Sequence, residues 1–184
     1  MQETGTISIH TENIFPIIKK ALYSERDIFL RELISNSVDA ITKLRLVGYE
    51  RAAAPEVKIT IDRSKRQLSV SDTGIGMTAE EVKRYINQVA FSSASEFAQK
   101  YAASADQQLI GAFGLGFYSS FMVAELVEID TLSYQEGATP VHWRCDGSTQ
   151  FTMDDGTRSA VGTTVTLTLQ EDAREFLELG EIKR

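Results

Sequence analysis

The sequence predicts an α+β fold, a two-layer α/β sandwich in which helices cover one face of a mostly antiparallel sheet. Three observations carry this expectation. A helical pattern occupies about residues 14–47, a period-two hairpin follows at 57–71, and four more strand patterns cluster after residue 123. Helices grouped early and strands grouped late do not make the alternating order of a parallel sheet. With 184 residues, the chain is near the size of one ordinary domain, and a single domain over 1–184 is expected.

Ile7-Ser-Ile-His10 alternates like a strand, and the helical stretch that follows from Ile14 to Val47 is broken near Ser24 to Asp27, where turn formers cluster. Val57 to Ile61 and Gln67 to Ser71 alternate with period two, so each buries one face, and the polar Asp62 to Arg66 between them forms the turn. Thr78-Ala-Glu-Glu81 has the spacing of a capping box and predicts a helix from Ala79 to about Val89. Phe91 to Ile110 is rich in Ser, Ala and Gln and reads as a loop or flap, because few large apolar side chains are there to anchor it. Phe117 to Val123 reads as helical. Val123 to Leu132, Val141 to Cys145, Thr149 to Met153 and Thr163 to Leu169 read as strands, and Asp172 to Leu179 as a closing helix.

Composition narrows the function. Nineteen Lys and Arg against 26 Asp and Glu give a net charge of −7, which disfavours a broad nucleic-acid footprint but leaves room for a local anion pocket. Cys145 is the single cysteine, so neither an internal disulfide nor a multi-cysteine metal site is available, and a reducing compartment is expected. His10 and His142, the two histidines, lack ligand-like spacing, which argues against a zinc enzyme or a Ser-His-Asp hydrolase. No apolar run approaches the roughly 20 residues a membrane span needs, and Met1 to Gly5 does not open like a signal peptide. The expectation is a cytoplasmic protein without a membrane partner. The end at Glu181 to Arg184, directly after an apparent helix, suggests a part of something longer.

Three segments carry candidate chemistry. In Leu30 to Leu44, a 100° helical repeat puts Leu30, Leu33, Ile34, Ile41 and Leu44 on an apolar stripe, with Glu32, Asn36, Asp39 and Lys43 within about 60° of one another on the other side. Such a face is ordinarily just solvated. Asn36 is the odd member, since asparagine costs helix propensity, while a carboxamide oxygen can ligate Mg²⁺ and a carboxylate one turn away can orient or deprotonate water. Asp72-Thr-Gly-Ile-Gly-Met77 directly follows a strand, placing a carboxylate at a sheet end and letting two glycines bring backbone close to a flat ligand. An ordinary strand-to-helix turn uses the same residue types. Gly111, Gly114 and Gly116, ahead of an apolar run, suit an anion cradle at a helix N-terminus, but the loop lacks the Lys-Ser/Thr ending of a P-loop and the setting of a dinucleotide fold.

Taken together and in this order, Glu32 to Ala40, Asp72 to Met77 and Ile110 to Ser119 resemble the N-terminal ATPase domain of the Hsp90 chaperones, in their bacterial form. The resemblance runs from Ile9 to the closing Glu-Asp-x-x-Glu-Phe-Leu-Glu. It implies the Bergerat-type sandwich of the GHKL ATPases, shared with DNA gyrase B, MutL and histidine kinases, with ATP or ADP and Mg²⁺ as ligands. By resemblance, Glu32 positions and activates the attacking water, Asn36 coordinates the Mg²⁺ that bridges the phosphates, and Asp39, Ala40 and Lys43 belong to the nucleotide pocket on the same helix. Asp72 accepts the adenine amino proton, Gly76, Met77 and Ile86 line the base pocket, and Thr163 supports Asp72 directly or through water. Gly111, Phe113, Gly114, Leu115, Gly116 and Phe117 match the phosphate-contacting loop, and about 91–116 matches a lid that closes over ATP.

The resemblance implies that a longer parent chain is a homodimer acting on unfolded client proteins, and that this part alone is a monomer with weak turnover. The chain departs from the family where Tyr85 stands at a base-pocket Asn position, Phe91 at a lysine position and Ser93 at a glycine position. That puts lid behaviour and nucleotide affinity in question, while the core pocket residues are intact. Two other readings compete. One is a nucleotide-sensing interaction module in which Glu32 only belongs to a solvated face. The other is a DNA-directed GHKL ATPase of topoisomerase or mismatch-repair type, which the acidic balance opposes.

Overall fold

The structure is a computed structural model, and it describes residues 2–6, 28–49, 54–84, 120–121, 123–146 and 150–177. Seven strands form one sheet: β1 (Gln2–Thr6), β2 (Val57–Asp62), β3 (Gln67–Asp72), β4 (Ala124–Leu132), β5 (Val141–Cys145), β6 (Gln150–Asp155) and β7 (Gly162–Leu169). Their spatial order is β1-β6-β5-β4-β7-β3-β2, and every ladder is antiparallel. The helix α1 (Ile28–Leu46) lies against β3, with β2 and β7 beside it, and a short α2 (Ala79–Lys83) follows the 72–77 loop.

The strand registers line up across the sheet in three rows that share its inner face. Leu68, Leu167, Val127, Cys145 and Phe151 make one row, and Val70, Val165, Ile129, Trp143 and Met153 the next. These ten side chains are apolar and nearly all buried, as period-two strands with one dry face require. The third row reads Asp72, Thr163, Thr131 and Val141. It is here, at one end of the dry face, that the core turns polar.

Helix α1 supplies the second layer. Phe29, Leu30 and Leu33 are buried in the core against the sheet, Ile34 packs at its margin, and Leu44 is buried beside Tyr49 and Pro55. Lys43 and Arg45 in the last turn complement the helix dipole, and Gly48, at φ 70°, lets the chain leave in a left-handed cap with its N–H on Arg45 O at 3.1 Å. The capping box at α2 is present as the sequence predicts, with Thr78 Oγ1 accepting from Glu81 N and the Glu81 carboxylate accepting from Thr78 N.

Three expectations need correction or relocation. A strand at Gln2–Thr6 pairs with β6, upstream of Ile7 to His10, which lie outside the described residues. The closing segment is a 3-10 helix over Glu171–Leu177, its inner side formed by Ala173, Phe176 and Leu177, with the Phe176 ring edge-on to Phe29 at 5.0 Å. Of the run Phe117 to Val123, Ser120 and Phe121 form a single 3-10 step before β4, and 117–119 and Met122 lie outside the described residues. Among the described residues, no helix is long and apolar enough to cross a membrane.

Candidate nucleotide site

The polar row and α1 enclose a cleft of about 180 Å³. One wall is helical, made by Leu33, Asn36, Ser37, Asp39, Ala40 and Lys43. The floor is Ile129, Val165, Thr163 and Asp72 from the sheet, and the loop residues Ile75, Gly76 and Met77 close the side. The apolar floor with a polar end has the mixed lining of a small-molecule pocket.

Asp72 is 5% exposed at the end of β3. Its Oδ1 accepts from Gly74 N at 2.8 Å and Thr163 N at 3.3 Å, and the Ser37 hydroxyl reaches the same carboxylate from α1. Burial pushes the Asp72 carboxyl above its ordinary range, and the bonds from Gly74, Ser37 and Thr163, together with the nearby Arg158 charge, pull it back. An acceptor held this way presents a fixed, partly desolvated oxygen to a donor on a ligand.

The loop after Asp72 is shaped by close approach. Ile75 N donates to Ala40 O at 3.0 Å, and Tyr134 N donates to Ile75 O at 3.0 Å, so the loop is stitched to both α1 and the end of β4. Gly76 has φ 68°, and a Cβ there would collide with the carbonyl oxygen of Leu132. Only glycine meets both demands. Met77 N is satisfied by Thr131 Oγ1 at 2.9 Å, and Thr131 Oγ1 also lies 2.8 Å from Thr163 Oγ1 and 3.2 Å from Gly162 O.

The structure therefore brings together Asn36, Asp39, Ala40, Lys43, Asp72, Gly76, Met77 and Thr163 on one cleft. Thr163 meets Asp72 through its backbone N–H, while its hydroxyl turns to Thr131. Glu32 lies one turn before Asn36 on α1, half-buried, and is not among the residues that line the cleft. Tyr85, Ile86, Phe91, Ser93, the loop residues Gly111, Phe113, Gly114, Leu115, Gly116 and Phe117, and the expected lid at 91–116 lie outside the described residues.

Three contributors escape the sequence reading. Ser37 is a buried polar residue inside the apolar stripe of α1, between Leu33 and Ala40, and that interruption was the available signal. Thr131 is buried on the inward register of β4, where the preceding inward residues Val127 and Ile129 are apolar. Arg158, in the loop between β6 and β7, belongs to no periodic pattern and leaves no signal.

Comparison with known proteins agrees with this geometry. Residues 23–168 match the family model described as histidine kinase-, DNA gyrase B-, and HSP90-like ATPase. The chain is 48% identical over 183 residues to the chaperone protein HtpG of Bacteroides fragilis, covering 98% of this chain and 27% of that protein. It is 46% identical over 188 residues to HtpG of Porphyromonas gingivalis, with 100% and 27% covered, and 36% identical over 191 residues to HtpG of Desulfitobacterium hafniense, with 99% and 31% covered. The chain thus spans about a quarter to a third of the length of these relatives. Fold, cleft and matched residues lead to one conclusion: the chain belongs to the family of histidine kinase-, DNA gyrase B- and HSP90-like ATPases, and is of the Hsp90 type.

Proposed function

We propose that this chain is the nucleotide-binding part of an HtpG-type chaperone, one that binds Mg-ATP and ADP and hydrolyses ATP slowly as part of work on unfolded proteins. The observation that carries the reading is the buried Asp72 carboxylate, held by two backbone N–H groups and a hydroxyl at the polar end of the cleft's sheet floor. In this reading Asp72 accepts the adenine amino group, and Gly76 and Met77 lie along the base. Asn36, Asp39 and Lys43 extend from the base end toward the phosphates. Ala40 and Ile86 complete the apolar contacts, and the loop Gly111 to Phe117 wraps the phosphates.

Mg²⁺ prefers an octahedral oxygen shell and usually takes one or two protein ligands together with substrate phosphates. Asn36 lines the cleft and offers one carboxamide oxygen. Among the described residues no group of three His, Cys, Asp or Glu could hold a metal. A single carboxamide suits an ion that arrives with the phosphates, where it would neutralise their charge. Glu32, one turn earlier, is the base that orients the attacking water. The longer parent is read as a cytoplasmic homodimer that engages client proteins and takes neither nucleic acid nor membrane as partner.

A second reading, nucleotide binding without turnover, is favoured by one observation: Glu32 does not line the cleft. Calorimetric titration of ADP with and without Mg²⁺, for the native chain and Asp72→Asn, tests the first claim. Saturable one-site binding that strengthens with Mg²⁺ and collapses in Asp72→Asn is expected. A folded native chain that does not bind ADP would overturn the proposal.

A further inference from the structure

Asp72 is held from both sides of the sheet. Its side chain points into the cleft, while its carbonyl oxygen accepts a 2.8 Å bond from Arg158 Nη2, which comes from the loop between β6 and β7. The same guanidinium donates through Nη1 to Thr164 Oγ1 at 2.7 Å and through Nε to Ala160 O at 2.8 Å. Thr164 Oγ1 in turn donates to Ser71 Oγ at 2.9 Å, so one cation bridges the ends of β3 and β7 on the face away from α1. Gly162 makes this possible. At φ 141° it has no Cβ, and a Cβ there would strike both the Asp72 carbonyl oxygen and the Arg158 guanidinium.

We infer that Arg158 is a positioning residue for the nucleotide site, fixing the Asp72 peptide from the outer face and supplying the positive charge that keeps the Asp72 carboxylate ready to accept a base amino group. The inference rests on the nucleotide reading above and adds a residue outside the cleft lining. A planar guanidinium can bond three acceptors at once, which a single ammonium in the same place cannot do with the same geometry. Burial opposes ionisation of Asp72, the bonds from Gly74, Ser37 and Thr163 do most to counter it, and the Arg158 charge adds a smaller contribution in the same direction. Around the pair, Asp130 faces Arg158 from β4 and is itself bonded to His142 Nδ1 at 2.8 Å, while Asp39 and Lys43 of α1 border the cleft. Arg158 is half-buried, and Asp72 and Asp130 offset part of the cost of burying its charge.

Two measurements on the native chain, Arg158→Gln and Arg158→Lys test this. The first is NMR titration of the Asp72 side-chain carboxyl carbon without nucleotide. Its midpoint should move to higher pH in Arg158→Gln and stay near native in Arg158→Lys. The second is ADP calorimetry from pH 5 to 8. Arg158→Gln should bind roughly tenfold more weakly at pH 7, as loss of a charge-assisted contact predicts, and its acid limb should shift upward. Arg158→Lys should keep the native acid limb but bind ADP more weakly than the native chain, because one ammonium cannot make the three bonds of the fork. An Asp72 midpoint unmoved in a folded Arg158→Gln overturns the inference even when the native chain binds ADP. If the midpoint moves but the native chain does not bind ADP, the assignment of Arg158 to Asp72 stands and the nucleotide reading fails. Should Arg158→Gln not fold, Arg158→Lys decides, because native affinity with one ammonium in place of the fork also overturns it.

Discussion

Gly74 and Ala40 meet so closely that a Cβ on Gly74 would lie 2.5 Å from the Ala40 Cβ and 2.6 Å from its carbonyl carbon. The obstructing atoms are helix backbone and a methyl group on it, neither of which can swing aside. Gly74→Ala should therefore push the 72–77 loop off α1, stretching the Ile75 N to Ala40 O bond and displacing the N–H that holds Asp72. A loss of about 1–3 kcal/mol in unfolding free energy is expected from such overpacking. Urea titration followed by Trp143 fluorescence measures it, since this is the single tryptophan and is fully buried. ADP binding should weaken in the same variant.

Asp72→Asn separates stability from binding. The folded Asp72 carboxyl titrates above its ordinary value because burial disfavours the charge. The folded state thus holds this proton more tightly than the unfolded chain does. The stability linked to it is fully present below the unfolded value and is lost as pH rises through the folded one, so at neutral pH the ionised carboxylate is a standing cost. Asparagine keeps an oxygen for Gly74 N and Thr163 N without the charge. At pH 7 Asp72→Asn should be at least as stable as the native chain, and its advantage should shrink as the pH falls through the raised range in which the folded carboxyl takes up its proton. Its ADP binding should nevertheless be lost. Denaturant melts across this pH range, beside calorimetry, check the two halves, and a variant much less stable than native at pH 7 would refute the burial argument.

Thr131 tests the hydroxyl relay. Thr131→Val keeps the shape but leaves Met77 N–H without its acceptor, along with a lost contact to Thr163. A buried donor left unmade costs about 1–3 kcal/mol. Thr131→Ser, which keeps the oxygen, should recover most of that in urea titration and should restore ADP affinity.

Glu32 tests turnover. If Glu32 activates water, Glu32→Ala should lower ATP hydrolysis by about 10²–10⁴-fold, the usual worth of a positioned general base, with ADP affinity close to native. Phosphate release measured beside calorimetry decides it. Hydrolysis unchanged in the variant would favour binding without turnover by this side chain.

Much of this architecture was legible in the residues. Period two in Gln67 to Ser71 and Val123 to Leu132, and the 3.6 repeat in Leu30 to Leu44, report a buried face directly, because burial must repeat with the geometry of the element. Thr78 and Glu81 announced the start of α2 through a reciprocal bond that needs only local spacing. Gln2 to Thr6 carries no such pattern. It is a strand because β6 offers it an edge, and edges are tertiary facts. The cleft divides in the same way. Asn36, Asp72 and Gly76 stand out locally, as an unfavoured helix residue, a strand-end carboxylate and a glycine in a tight loop. Ser37 and Arg158 matter only because distant segments converge on Asp72, and Thr131 because it joins Met77 to Thr163 beside it.

That convergence bears on how the chain folds. The groups that hold Asp72 come from positions 37, 74, 158 and 163, around a sheet in which β7, an interior strand, is the last of the seven in chain order. Contacts of such wide sequence separation form slowly, since long stretches of chain must be closed before they yield anything. A nascent chain that has not yet released β7 leaves β3 paired on the β2 side alone and lacks the N–H of Thr163, and so has no finished receptor for a ligand. Nucleotide added during refolding should leave the rate of the main phase nearly unchanged and slow unfolding instead, acting as a clasp on a completed molecule and not as a template for making one.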